Sequence, residues 1–155
     1  MNSIQVLVPG PGHWGRASSS DWAEVLATFP LFSGIGKRRL RKLVRNATVA
    51  EHGPGDMIIQ KGTSADSLYL ILSGSAKALG KPASRSLRIG DYFGELSLLD
   101  GTPRSATIIA TSELHLIKLP HQTFLKLTQN PEIALKMLRT LGSQIRRLEA
   151  QPAQR

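Results

Sequence analysis

Residues 90–107 read GDYFGELSLLDGTPRSAT, and two of their side chains carry complementary chemistry. Glu95, when ionised, only accepts hydrogen bonds, so it suits hydroxyl groups and repels phosphate oxygens. Arg104 presents a planar fork of donors that matches a phosphate. Between them, Gly94 and Gly101 bracket Glu95-Leu96-Ser97-Leu98-Leu99, enough for one helical turn. The first residues of such a turn offer unpaired N–H groups and a partial positive charge, a ready place for an anion. Gly94 has no side chain to hold a ligand off that backbone. A molecule with a phosphate beside a hydroxyl, such as a sugar phosphate, would satisfy both ends. Taken singly, Glu95 reads as a helix-start residue and Arg104 as its surface ion-pair partner. The whole string favours a binding site.

The string resembles the phosphate-binding cassette of the cyclic-nucleotide-binding domains, shared by bacterial catabolite-activator-type regulators, kinase regulatory subunits and cyclic-nucleotide-gated channels. That cassette runs FGE, a short apolar helix, then Gly-x-Pro-Arg-(Ser/Thr/Ala)-Ala. Here it reads Phe93-Gly94-Glu95, an apolar run over 96–99, Asp100, and Gly101-Thr102-Pro103-Arg104-Ser105-Ala106. A looser likeness runs from about residue 29 to about residue 149. The resemblance implies that Glu95 accepts the ribose 2′-hydroxyl and that Arg104 neutralises the cyclic phosphate. It implies that the N–H groups of Leu96 and Ser97 complete the anion site beside Gly94, with Ser105 adding a hydroxyl or N–H. Pro103 would pre-set the backbone before Arg104, and Ala106 would leave room for the ligand. The implied ligand is cAMP or cGMP, cAMP preferred, with no metal; a hydroxyl at Ser105 does not exclude cGMP. The family caps the base with its last helix, here expected from residues 147–155, where Pro152 interrupts the helix.

The elements that must hold this segment follow from punctuation and periodicity. Residues 1–20 contain glycine, proline and a serine run and predict a flexible lead-in. Ser20 or Asp21 is expected to cap a helix through Trp22, Val25 and Leu26 that ends before Pro30. A second helical stretch is expected over 31–45, closing an N-terminal helical part at 21–46. Over 47–119, short apolar runs broken by Gly, Pro, Asp and Ser predict strands at 48–51, 57–60, 68–72, 75–79, 86–89, 107–110 and 113–119. The last two are expected to close around Thr111-Ser112. Many short strands with regular turns predict an antiparallel β-roll or jelly roll, with the cassette at 93–106. The period turns helical again over 120–150, as a short helix through Phe124, Leu125 and Leu127 and a longer one begun by Asn130-Pro131. In the longer one, Ala134, Leu138, Leu141, Ile145 and Leu148 form one apolar stripe, which can cover the roll or pair with a second copy as a homodimer. The fold class is therefore mainly β with flanking helices (α+β), N-terminal helices and a C-terminal helical lid, ending in a tail at 151–155.

Composition bounds the rest. A chain of 155 residues with 41% hydrophobic content suits one globular domain. It has no cysteine, which excludes disulfides and thiolate metal sites and agrees with a reducing cytoplasm. No stretch reaches the length of a membrane span. The net charge of +9 is concentrated at Lys37, Arg38, Arg39, Arg41, Lys42 and Arg45. Such a run can bind nucleic acid, an anionic membrane or an acidic partner. The preferred account is a solvated helix face whose Ile35, Leu40, Leu43 and Val44 point inward. His13, His52, His115 and His121 contain no HxH pair, which argues against a cupin-type metal enzyme, and no nucleophile with its base is recognisable. The chain ends at Arg155, where a catabolite-activator-type regulator would begin its helix-turn-helix, which argues against DNA binding. The sequence thus reads as a non-enzymatic, cytoplasmic, bacterial cyclic-nucleotide sensor, standing alone or as a fragment, that signals through its C-terminal helices to an unknown effector protein. The alternative is an interaction module of the same fold that uses no nucleotide.

Overall fold

The computed structural model describes residues 19–80 and 84–150, with the backbone alone for 19–22. Residues 1–18 of the expected lead-in, with His13, and the tail at 151–155, with Pro152, lie outside the described residues.

Two four-stranded antiparallel sheets carry the fold. Strands β1 (Thr48–His52), β8 (Leu114–Pro120), β3 (Ser67–Ser73) and β6 (Tyr92–Phe93) form the first in the order β1-β8-β3-β6; β2 (Met57–Ile59), β7 (Thr107–Ala110), β4 (Ala76–Leu79) and β5 (Arg85–Leu87) form the second in the order β2-β7-β4-β5. The β3 sequence SLYLILS is apolar without alternation because both of its faces are buried. Successive side chains point to opposite faces of a strand. Leu68, Leu70 and Leu72 accordingly join one core cluster with the flanking helices, whereas Tyr69 and Ile71 join a second cluster between the sheets. The paired strand β8 divides in the same way, Ile117 and Leu119 facing the helices, Leu114 and Leu116 the other sheet. The first sheet is thus the middle layer of three, and each fully buried leucine in it contributes roughly 1.5–3 kcal/mol.

Helices α1 (Ser19–Ala27), α2 (Lys37–Leu43), α4 (His121–Thr128) and α5 (Pro131–Ala150) surround the first cluster. Ser20 and Asp21 lie inside α1, not ahead of it as a cap. The expected continuous helix over 31–45 is broken into a 3-10 turn at Pro30–Phe32 and α2, because Gly34 takes φ +87° between them. Leu40 and Val44 are buried, Ile35 and Leu43 half-buried, and the six basic residues of that run exposed, as expected of a solvated helix face. Asn130 caps α5, its Oδ1 accepting the N–H groups of Glu132 at 3.0 Å and Ile133 at 3.1 Å.

Two further expectations are corrected. Strands β7 and β8 do not pair with each other: β7 lies between β2 and β4, and β8 between β1 and β3, so the chain crosses between sheets at Thr111-Ser112. Nor does the α5 stripe cover the roll. Ile133 and Met137 are the buried residues of α5, whereas Leu138 is 64% exposed, Ile145 55% and Leu148 54%, with Ala134 and Leu141 half-buried.

Candidate functional site

Strand β6 is only two residues long, yet it sets the position of the cassette. It pairs Tyr69 with Phe93 and Leu70 with Tyr92 at the edge of the middle sheet, and the Tyr69 and Phe93 rings stack at 5.2 Å. The chain then turns at Gly94, whose φ of +90° suits glycine alone. A Cβ there would also come within 2.6 Å of Arg104 Nη1. Helix α3 (Glu95–Asp100) follows, and Gly101, at φ +72°, ends it with an N–H bond to Ser97 O.

Arg104 is tied into this corner. Its backbone N–H donates to Thr63 O at 2.8 Å, and its own carbonyl accepts from Gly62 N–H at 2.8 Å. The guanidinium donates from Nη1 to Gly94 O at 2.7 Å and from Nη2 to Ser67 O at 2.8 Å, and it lies 5.9 Å from the Tyr69 ring centre. Arg104 is 5% exposed, so it is no surface ion-pair partner, and among the described residues it makes no ion pair with Glu95. Burial pulls its pKa below the usual guanidinium value, against the opposing pull of Tyr69, Asp66 and Glu95, and such a group stays charged. Two of its N–H donors hold the backbone, and others are left for an anion.

Glu95 is 4% exposed at the start of α3. Burial pushes its carboxyl above the ordinary carboxylate range, against the lowering effect of a backbone N–H and of the Arg85 and Arg104 charges. Ser97 Oγ donates to Pro103 O at 3.1 Å, tying α3 to the segment before Arg104. Gly94, Glu95, Leu96, Ser97, Arg104, Ser105 and Ala106 all line one cavity of about 70 Å³. An electropositive wall, an acceptor and unpaired helix N–H groups therefore meet in one place. Among the described residues, no group of three or more His, Asp or Glu side chains is arranged to hold a metal ion.

The family model of the cyclic nucleotide-binding domain matches residues 49–130, more than half of the chain. The chain belongs to the cyclic-nucleotide-binding domain family. The cAMP-dependent protein kinase regulatory subunit of Hypocrea atroviridis is 36% identical to it over 118 residues, 76% of this chain and 26% of that protein. The cGMP-dependent protein kinase of Toxoplasma gondii is 42% identical over 100 residues, 61% of this chain and 10% of that protein. The Thermus thermophilus catabolite activator protein superposes with a TM-score of 0.66 at 27% identity, over 77% of this chain and 60% of that one. This cyclic-nucleotide-binding domain thus spans about a quarter or less of the two curated relatives.

Sequence reasoning missed the apolar Ile59, Ala78 and Ile108 of the domain's cavity and two polar residues, Arg85 at the start of β5 and Gln144 on α5. None of them belongs to the cassette string, and Arg85 and Gln144 each read as an ordinary polar surface residue. α5 therefore reaches the cavity ahead of the segment 147–155 from which a cap was expected. Arg147 lines the adjoining groove instead, and residues 151–155 lie outside the described residues.

Proposed function

We propose that this domain is a cAMP-binding sensor whose seven cassette residues hold the ribose phosphate. The observation that carries this is their convergence on one cavity with a buried cationic Arg104 and a buried Glu95. Arg104 meets the single negative charge of the cyclic phosphate, together with the N–H groups of Leu96 and Ser97 and the hydroxyl or N–H of Ser105. Ionised Glu95 accepts the 2′-hydroxyl, while Gly94 and Ala106 leave the approach open. The half-buried Gln144 amide carries a donor and an acceptor side by side, which pair with the amino group and ring nitrogen of adenine.

The cavity of about 70 Å³ is well below the ~300–1,000 Å³ of ordinary ligand pockets. A nucleotide held at the cassette therefore extends past Arg85 and Gln144, which also line the adjoining groove, and Gln144 carries that contact to α5. Nucleotide binding shifts α5 between two packings, by as much as its affinity differs between them. The exposed stripe of α5 then offers a seam for a second copy: Ala134, Leu138, Leu141, Ile145 and Leu148 alternate spacings of four and three, the pattern of paired helices. The domain acts as a binding module, not an enzyme, passing the change to an effector protein in the cytoplasm. No described helix is long and apolar enough to cross a membrane.

Thermal unfolding in graded cAMP, cGMP and 5′-AMP tests this. A ligand that binds only the folded chain raises Tm with concentration. The proposal expects the largest rise with cAMP and little with 5′-AMP. Equal rises with cAMP and 5′-AMP, or none with cAMP, would contradict it.

A further inference from the structure

Beside the cassette cavity, between α5 and the segment from β5 to β6, lies an open groove of about 660 Å³. Arg85 and Arg88 stand on one wall, and Lys136, Arg139 and Arg147 on the other. Asp91 is the one carboxylate in the lining, and its Oδ2 is engaged by the Arg88 N–H at 2.9 Å. Among the described residues, none of the five cations makes an ion pair; Lys136 Nζ donates to Ser33 O. Glu95 lies close enough to Arg85 for their charges to interact, but it is not in the lining of the groove. Five like charges facing one another across a groove repel, and an anionic occupant relieves that repulsion.

The shape selects the occupant. Lys136, Arg139 and Arg147 are strung along α5, and at ~1.5 Å per residue the outer two are about 16 Å apart along its axis. That matches about five residues of extended chain at ~3.3 Å each. Charges strung out in this way suit a linear polyanion better than one compact anion. Buried Leu31 and Leu87 in the lining give the groove an apolar floor. Half-buried Tyr92 is the only aromatic residue in that lining, so bases would find no platform on which to stack.

We propose that this groove docks an extended acidic peptide segment of a partner protein, its carboxylates held between the two cationic walls and an apolar side chain seated over Leu31. The docking itself needs no nucleotide. It deepens the sensor proposal, on which its link to cAMP rests, because Arg85 and Gln144 line both the groove and the cassette cavity. Occupants of the two sites then alter each other's affinity by one reciprocal factor.

The test is a fluorescence anisotropy titration of the full chain with a fluorescein-labelled peptide of glutamates around one central leucine. Two double variants are compared, Arg88→Glu with Arg139→Glu in the groove, and Lys42→Glu with Arg45→Glu on the basic run outside it. All four positions are exposed, and circular dichroism verifies folding. The proposal expects the groove pair to weaken peptide binding about tenfold or more, the other pair to change it less than about threefold. A separate cAMP titration of the groove pair shows whether the nucleotide site is intact, so failure of one proposal is distinguishable from failure of the other. Equal loss in both pairs, no binding by the wild type, or tighter groove-dependent binding of a single-stranded oligonucleotide or anionic vesicles would overturn it.

Discussion

Replacing Arg104 with alanine should harm the fold as well as the binding site, by amounts that its contacts set. The guanidinium satisfies two backbone carbonyls, Gly94 O at 2.7 Å and Ser67 O at 2.8 Å, in a corner where Arg104 itself is 5% exposed. A buried acceptor left without its donor costs about 1–3 kcal/mol. Loss of the contact with the Tyr69 ring adds about 0.5–1 kcal/mol. Water entering the vacated space recovers part of this, so the expected loss is about 2–4 kcal/mol, read from the urea midpoint at unchanged slope. Arg104→Lys keeps a charge but replaces the planar fork with a single ammonium, so it should lie between wild type and alanine. In whatever fraction of Arg104→Ala remains folded, cAMP affinity should fall by one to two decades or more, the equivalent of ~1.5–3 kcal/mol for a charge-assisted contact. A variant as stable as wild type, within about 0.5 kcal/mol, would refute the structural role assigned to Arg104.

Glu95→Gln should separate stability from binding. Because burial raises the Glu95 pKa in the folded chain, its contribution to stability is present below the unfolded pKa and lost as pH rises through the folded pKa. The glutamine variant should therefore melt at a higher temperature than wild type at neutral pH, while binding cAMP about tenfold or more weakly for want of a charged acceptor. In wild type, cAMP affinity should fall as pH is lowered through the raised Glu95 pKa, since the protonated acid is the poorer acceptor; calorimetric titration across pH reads it, and the glutamine variant should lack that dependence. Gly94→Ala forces a side chain into φ +90° and against Arg104 Nη1, so it should cost at least the ~1–2 kcal/mol of the left-handed conformation, measured by denaturant unfolding. If the α5 stripe pairs two copies, Leu138→Lys with Ile145→Lys should shift sedimentation from dimer to monomer without lowering the Tm of the monomer.

The seven residues proposed to hold the ligand could be named together because they lie in one continuous string, and the structure gathers them around one cavity. The buried strand β3 was legible for a different reason: a leucine-rich run between turn residues reads as a strand even without alternation. Strand β6 was missed because Tyr92-Phe93 is too short for any periodicity, although its pairing with β3 sets the cassette. Thr111-Ser112 looked like a hairpin turn, but local sequence does not reveal that neighbouring strands enter different sheets. The α5 stripe was read as periodic, yet periodicity names a face and not its partner. The roll takes Ile133 and Met137, one step around the helix, leaving Leu138, Ile145 and Leu148 to solvent. Arg85 reaches the cavity from β5 and Gln144 from α5, both outside the continuous string, a tertiary fact with no local signal.

Titration calorimetry of the wild-type chain with cAMP tests the central claim most directly. The account predicts saturable binding at one site per chain, tighter for cAMP than for cGMP. An absence of heat with either nucleotide, from protein shown to be folded and free of co-purified ligand, would contradict it and leave the cassette without its proposed ligand.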